Sequence, residues 1–496
     1  MIRFLLDQEL IELDQAPADL TVLDWLRLHK NRTGTKEGCG SGDCGACTVV
    51  TASAVPASVV PGSVVPGSVV TGSVVPSSVV NNVADKATLK YQSLNSCITF
   101  VGALHGKQLI TVESLASKGE LHPVQRAMVD EHGSQCGFCT PGFVMSLFTL
   151  YQQDVPLEQL HEKVDQALGG NLCRCTGYRP IKAAAIHALD YRAEHGQGVN
   201  DNHALIETLN SLLVQTIDTD GFHQPRSVQA LASLYQRQPE ARLLAGGTDL
   251  ALEVTQQMKN LPQIIHVGSV SELRLVEVHA QQLLLGAAVT LSECLEIMSK
   301  HLLPAREMLL RFGSDQVRNQ ATLGGNIGSA SPIGDMPPML MALGARLTLQ
   351  CGEILRTVPL EEYYLGYRKT CLQRGEFIRH ITIPKPAKQS VFAVHKISKR
   401  TEDDISSVCL AIHLPLRNGH IVDARLAFGG MAATPVRASA AETMLNDKPF
   451  DQASVSAAQD ALAEELQPIS DARASAGYRL QVAQNLLQRV LLEAST

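Results

Sequence analysis

Eight of the twelve cysteines fall before residue 176, and their spacing is that of metal ligands. Cys39, Cys44 and Cys47 form C-x4-C-x2-C within a loop that also holds Gly38, Gly40, Gly42 and Gly45. This is the spacing of plant-type 2Fe-2S ligation, with Cys97 as the natural fourth thiolate. A loop that wraps three thiolates round a compact cluster must fold back on itself, and its glycines let backbone N–H groups point at sulfur. A zinc site would instead ask for two cysteine pairs at short spacing. The second set, Cys136-x2-Cys139 and Cys173-x-Cys175, again supplies four thiolates, and here its spacing leaves a 2Fe-2S cluster and a structural zinc both open.

Two later segments have the chemistry to hold phosphate. Leu244-Ala245-Gly246-Gly247-Thr248-Asp249-Leu250 closes an apolar strand with a glycine turn, and Thr322-Leu-Gly324-Gly325-Asn326 with Ser329 and Asp335 offers small residues and hydroxyls. Both present backbone N–H groups where a pyrophosphate needs close approach. Each is weak alone, and two ordinary glycine turns of an α/β domain read the same way. Neither matches G-x-G-x-x-G, which argues against a Rossmann fold.

The elements that must position these residues are legible in outline. Strands are expected at 2–6, 47–51 and 108–112, with a helix after the capping-box-like Thr21, the pattern of a ferredoxin-like β-grasp unit. Thr140 and Pro141 read as the N-cap and first residue of a helix whose face carries Phe143, Val144, Leu147, Leu150 and Tyr151. Helices at 157–168, stopped by Gly169-Gly170, and from Pro180 onward complete a small bundle, so each cysteine pair sits in a loop that opens a helix. A polar stretch near 194–202 has linker composition. Between Val55 and Val80 a Val-Pro-Gly-Ser-Val-type pentapeptide repeats, a low-complexity insertion at 52–83 that cannot serve as central sheet. It is expected as an exposed hairpin extension, whose valines offer an apolar surface to a partner chain.

Gln135 to Gly142 and Gly169 to Ile181 resemble the two signature stretches of the molybdenum hydroxylase family. The resemblance spans nearly the whole chain and departs chiefly at the repeat. It implies an α+β multidomain chain: a β-grasp 2Fe-2S domain (1–115), a helical 2Fe-2S domain (116–195), a linker (196–222), an α+β FAD domain of the vanillyl-alcohol-oxidase-like type (223–385) and a small C-terminal domain (386–496). It implies two 2Fe-2S clusters, on Cys39, Cys44, Cys47 and Cys97 and on Cys136, Cys139, Cys173 and Cys175, with Gln135 approaching a pterin. FAD would be held by Leu244 to Leu250 and by Thr322, Gly324, Gly325, Asn326, Ser329 and Asp335. By the same resemblance Phe312 flanks the isoalloxazine and Lys396, in a loop running to Ile405, lies by the flavin. From the residues alone, Phe312 reads equally as core and the 396–405 segment as a surface charge run.

What the resemblance implies for function is electron transfer: purine hydroxylation on a partner, then the Cys136 cluster, the Cys39 cluster, FAD and NAD. With the chain ending at Thr496, the molybdopterin domain is expected on a separate large subunit, in a heterotetramer with two of each chain. Another substrate class (aldehyde, N-heterocycle or acyl-CoA) and a stand-alone electron carrier are the alternatives. No HExxH or GxSxG pattern calls for a nucleophile or general base. The 42 basic and 49 acidic residues give a net charge of −7 without long like-charge blocks, which speaks against nucleic acid and anionic membrane as partners. The N-terminus lacks a secretory h-region and no long apolar span occurs, so a cytoplasmic location is expected, where cysteines serve metal or redox chemistry more than disulfides.

Overall fold

The computed structural model describes residues 1–56, 87–117, 119–195 and 202–495. The repeat lies outside the described residues apart from its first two positions, as does 196–201 at the expected linker.

Five strands form the first sheet. Ile2–Leu6 pairs antiparallel with Glu9–Leu13 and parallel with Gln108–Ile110, which is followed by Thr48–Pro56 and Ala87–Asn95. Thr21 caps the helix that crosses it, Oγ1 accepting from Asp24 N at 3.0 Å. That helix is Val22–Asp24 continuing as a π-helical turn, Trp25–His29, which sets Trp25 edge-on to Phe4 at 5.1 Å.

Helices Pro123–Asp130, Thr140–Tyr151, Leu160–Leu168 and Arg179–His195 make the bundle. Phe143, Leu147, Val164, Ile181 and Ala184 meet inside it, and Val50 and Ala52 of the first sheet join the same core. The helix after Cys139 begins one residue earlier than its Thr-Pro signal suggests: Cys139 itself is the N-cap.

The segment expected as linker is partly structured. Leu205, Ile206, Leu209 and Leu212 recur at helical spacing, and helix His203–Leu213 docks Leu209 and Leu212 on Leu5 of the first sheet. Ile217 and Phe222 enter the core of the first domain, together with Leu244, Ala251 and Ile264. The first cysteine-rich region and the first glycine-turn region therefore share one hydrophobic core.

Beyond it, Phe222–His223, Ile264–His266 and Arg242–Leu244 run parallel, so the chain leaves the last two strands at the same edge. A five-stranded antiparallel sheet follows, in the order Val276–Val278, Gln282–Gly286, Phe377–Pro384, Arg346–Cys351 and Ile354–Pro359. The C-terminal unit packs Ser390–Ile397, Val408–Arg417 and Arg425–Gly429 against helices Ser439–Leu445, Gln452–Glu465 and Ala476–Ala494. No helix among the described residues is long and apolar enough to cross a membrane.

Candidate functional site

The fold brings the first four cysteines together as two pairs. Cys47 and Cys97, both buried, have their sulfurs 3.3 Å apart, and the Cys39 and Cys44 thiols engage each other. Gly42 has φ +85°, and a side chain there would run into Ile98; its carbonyl instead accepts from Asn95 Nδ2 at 2.5 Å. Ser41 N–H points at Cys39 Sγ from 3.4 Å. Contact with Cys44 drives Cys39 down to about 4 against the opposing effect of burial, and contact with Cys97 lowers Cys47 in the same way. In each pair one thiol, Cys39 or Cys47, is thus the one that gives up its proton more readily.

The second set is also paired, Cys139 with Cys173 and Cys136 with Cys175. Burial raises Cys173, but hydrogen bonds from Thr176, from the Cys175 backbone and from Cys139 outweigh it and bring it to about 7. Thr176 N lies 3.2 Å from its sulfur. Cys173 N donates to Tyr178 Oη at 3.0 Å, fixing the loop that opens helix Arg179–His195. Cys136 and Cys175 are exposed, beside exposed Gln135 and Phe138. Among the described residues no three His, Cys, Asp or Glu side chains converge on one point for a single ion. The donor chemistry, four thiols in two pairs with N–H groups aimed at sulfur, fits a two-iron cluster that takes two thiolates per iron.

The two glycine segments, distant in sequence, touch. A Cβ on Gly246 would overlap the Gln320 carbonyl, and one on Gly247 would lie 2.9 Å from the Ile98 carbonyl, next to Cys97. Thr322 Oγ1 accepts from Gly325 N at 3.0 Å, capping the short helix that carries Gly324, Gly325 and Asn326, and Ser329 Oγ donates to Asn326 O at 3.1 Å. Asn326 Oδ1 is buried without a hydrogen-bond partner, and it borders Gly334 beside Asp335. Asp335 accepts from Lys396 Nζ at 2.7 Å and from Ser406 Oγ at 2.6 Å, all three being buried. Lys396 Nζ stands 5.9 Å from the centre of the Phe312 ring, and Phe312 also packs on the domain core. A glycine cradle with an orphaned amide oxygen fits the polar part of a dinucleotide. Asp249 is instead engaged with Arg368 at 3.2 Å, Leu250 packs on the first-domain core, and Ala245 accepts from His266. Thr248, half-buried, completes the turn.

Several residues without a motif belong to this site. Arg311 donates to the carbonyls of Lys396 at 2.8 Å and Thr401 at 2.9 Å and to Ser398 Oγ at 3.0 Å, pinning the 396–405 segment. That segment is therefore a bound loop and not a free charge run. Within it Asp403 is raised to about 7, first by burial and then by the nearby Asp43 of the first cysteine loop.

Three family matches agree with this layout. Residues 111–186 match a 2Fe-2S binding domain, 216–386 the FAD binding domain in molybdopterin dehydrogenase, and 393–494 the CO dehydrogenase flavoprotein C-terminal domain. These findings place the iron-sulfur and flavin region of the chain in the molybdenum hydroxylase family. Among individual proteins, xanthine dehydrogenase/oxidase of Rattus norvegicus is 30% identical over 95% of this chain, and xanthine dehydrogenase of Emericella nidulans is 29% identical over 94%. The chain spans 37% and 36% of those relatives' lengths. Among solved structures, carbon monoxide dehydrogenase from Hydrogenophaga pseudoflava superposes with a TM-score of 0.51 at 29% identity, over 54% of this chain and 94% of that one. Quinoline 2-oxidoreductase from Pseudomonas putida 86 gives 0.51 at 27% identity, over 56% and 98%.

Proposed function

We propose that the chain is the iron-sulfur and flavin part of a xanthine dehydrogenase, an oxidoreductase in which electrons released by purine hydroxylation at a molybdopterin-binding partner subunit reach NAD. The reading is carried by one observation: direct hydrogen bonds join the first cysteine loop both to the second cysteine loop and to the flavin-type domain. Leu172 N, beside Cys173, donates to the Cys44 carbonyl at 3.0 Å, and Gln256 Nε2, from the flavin-type domain, donates to the Cys39 carbonyl at 3.1 Å. Two 2Fe-2S clusters supply one-electron relay when bound, and FAD supplies the exchange between one-electron donors and a two-electron acceptor.

The chain's own residues have holding roles. Cys39, Cys44, Cys47 and Cys97 would ligate one cluster and Cys136, Cys139, Cys173 and Cys175 the other. Ser41 and Thr176 N–H groups stabilise negative sulfur. Gly246, Gly247 and Thr248 with Gly324 to Asn326 would cradle the FAD pyrophosphate, and the Lys396–Asp335–Ser406 network would fix the flavin end beside Phe312. The exposed Cys136 face, with Gln135 and Phe138, is the side offered to the molybdopterin subunit. The likeness to a Cu,Mo-CO dehydrogenase and to quinoline 2-oxidoreductase favours a second reading, in which the partner presents a different hydroxylation substrate such as an N-heterocycle.

Purified chain should contain iron, acid-labile sulfide and FAD, and with its partner should reduce NAD anaerobically when given xanthine. Zinc-loaded, colourless protein would refute the cofactor assignment. A loaded complex that turns over another heterocycle and not xanthine would establish the second reading.

A further inference from the structure

A buried polar cluster sits where the two cysteine domains meet the flavin-type domain. Asn171, two residues before Cys173, directs Nδ2 to the Gly45 carbonyl at 3.1 Å, in the loop between Cys44 and Cys47. Its Oδ1 accepts from Ser146 Oγ at 2.6 Å, on the helix that starts after Cys139. Gln316, fully buried in the flavin-type domain, closes the cluster, its Nε2 lying 2.9 Å from Ser146 Oγ and 3.1 Å from Asn171 Oδ1. Gln320, one turn on, ties in the loop after Cys97 by accepting from Thr99 Oγ1 at 2.6 Å.

The backbone round this cluster has no slack. A Cβ on Gly45 would overlap the Gly170 carbonyl, one on Gly142 the Gly45 carbonyl, and one on Gly170 the Gln316 side-chain oxygen. Inside this clasp lies the 3.0 Å hydrogen bond from Leu172 N to the Cys44 carbonyl, the bond that joins the two cysteine sets. Gln316 Oε1 is buried without a hydrogen-bond partner. An apolar side chain of the same length would fill the volume without that penalty, so what the amide adds is its directed N–H donors.

We propose that Gln316 is a positioning residue for electron exchange between the two cysteine sites: it holds Asn171 on Gly45 and so fixes the Leu172–Cys44 bridge. The proposal rests on the reading that both sets bind 2Fe-2S clusters. In the exchange one electron leaves the reduced site at Cys136, Cys139, Cys173 and Cys175, and the oxidised site at Cys39, Cys44, Cys47 and Cys97 takes it up. No bond is made or broken and no proton moves.

The test compares the full, cofactor-loaded chain with Gln316→Met, which keeps the volume and loses the amide, and with Ser146→Ala, which cuts the same cluster from the other side. Two readouts apply: hydrogen–deuterium exchange at the Leu172 amide, and low-temperature electron paramagnetic resonance of dithionite-reduced protein, in which neighbouring reduced clusters split each other's signals. Both variants should keep the parental iron content and the separate g values, while Leu172 exchanges about ten-fold faster and the mutual splitting shrinks. Unchanged exchange and splitting in iron-replete variants overturn the proposal alone. A parent without iron signals removes the cluster reading and the proposal with it. If Gln316→Met fails to fold, Ser146→Ala decides by the same two readouts.

Discussion

At the scale of single residues, a buried charge beside the glycine cradle is answered by a partner of opposite sign. Lys396 and Asp335 have 2% and 4% of their side chains exposed and meet at 2.7 Å. Removing one member leaves the other charge buried, so Lys396→Met should destabilise the protein by about 3–5 kcal/mol in denaturant titration and release flavin, whereas Lys396→Met with Asp335→Leu should regain much of the stability. His266 makes the opposite case. Burial, then the positive Lys107 and Arg274, push it down to about 3, and its Nδ1 faces Gln224 Nε2 at 2.9 Å. Lys107 is itself brought down to about 8 by burial and by Arg274. The unfolded chain binds a proton at this histidine near pH 6.5 and the folded chain does not, so stability falls as pH drops below 6.5 and continues to fall toward 3. At pH 4 the loss from this group is about 3 kcal/mol. In His266→Gln the dependence of unfolding free energy on pH between 4 and 6 should flatten by about 1.4 kcal/mol per unit.

At the scale of elements, what matters is where each one starts and which neighbour it meets. The cysteine loops are held by their helices: Cys139 is an N-cap and Tyr178 receives the Cys173 amide just before the next helix begins. Thr48–Pro56 and Ala87–Asn95 pair over their full length, ending with Pro56 opposite Ala87. Two strand ends in register need only a two-residue turn to connect them. Replacing residues 57–86 by Asn-Gly should therefore leave iron content unchanged and Tm equal to or slightly above the parent, as followed by absorbance and calorimetry. A large loss of iron would show that the repeat supports the cysteine loop. Helix His203–Leu213 was hidden in the sequence behind its polar neighbours. Its apolar stripe is four residues long, and only the sheet patch of Leu5, Ala54 and Leu89 that it covers explains why it folds there.

At the scale of the whole molecule, the domains are coupled through side chains set into glycine gaps. Phe222 lies against Gly102 so closely that any Cβ there would enter its ring. Gly102→Val should push Phe222 out of the shared core, and calorimetry should then show the first domain melting in a separate, earlier transition. A single unshifted transition would mean that the core tolerates the wedge. The sequence by itself determined the local chemistry: eight thiols at ligand spacing, two glycine turns, and the strands and helices beside them. These are legible because ligand spacing and turn geometry are set by neighbours along the chain. Only the tertiary structure decided which thiols pair, that Gly247 rests on the residue next to Cys97, that Arg311 pins the 396–405 loop, and that Gln316 reaches Asn171 and Ser146. The Gln316 contacts join residues 145 and 170 positions apart, and a lone glutamine or arginine carries no mark of such a partner until a common core has closed the distance.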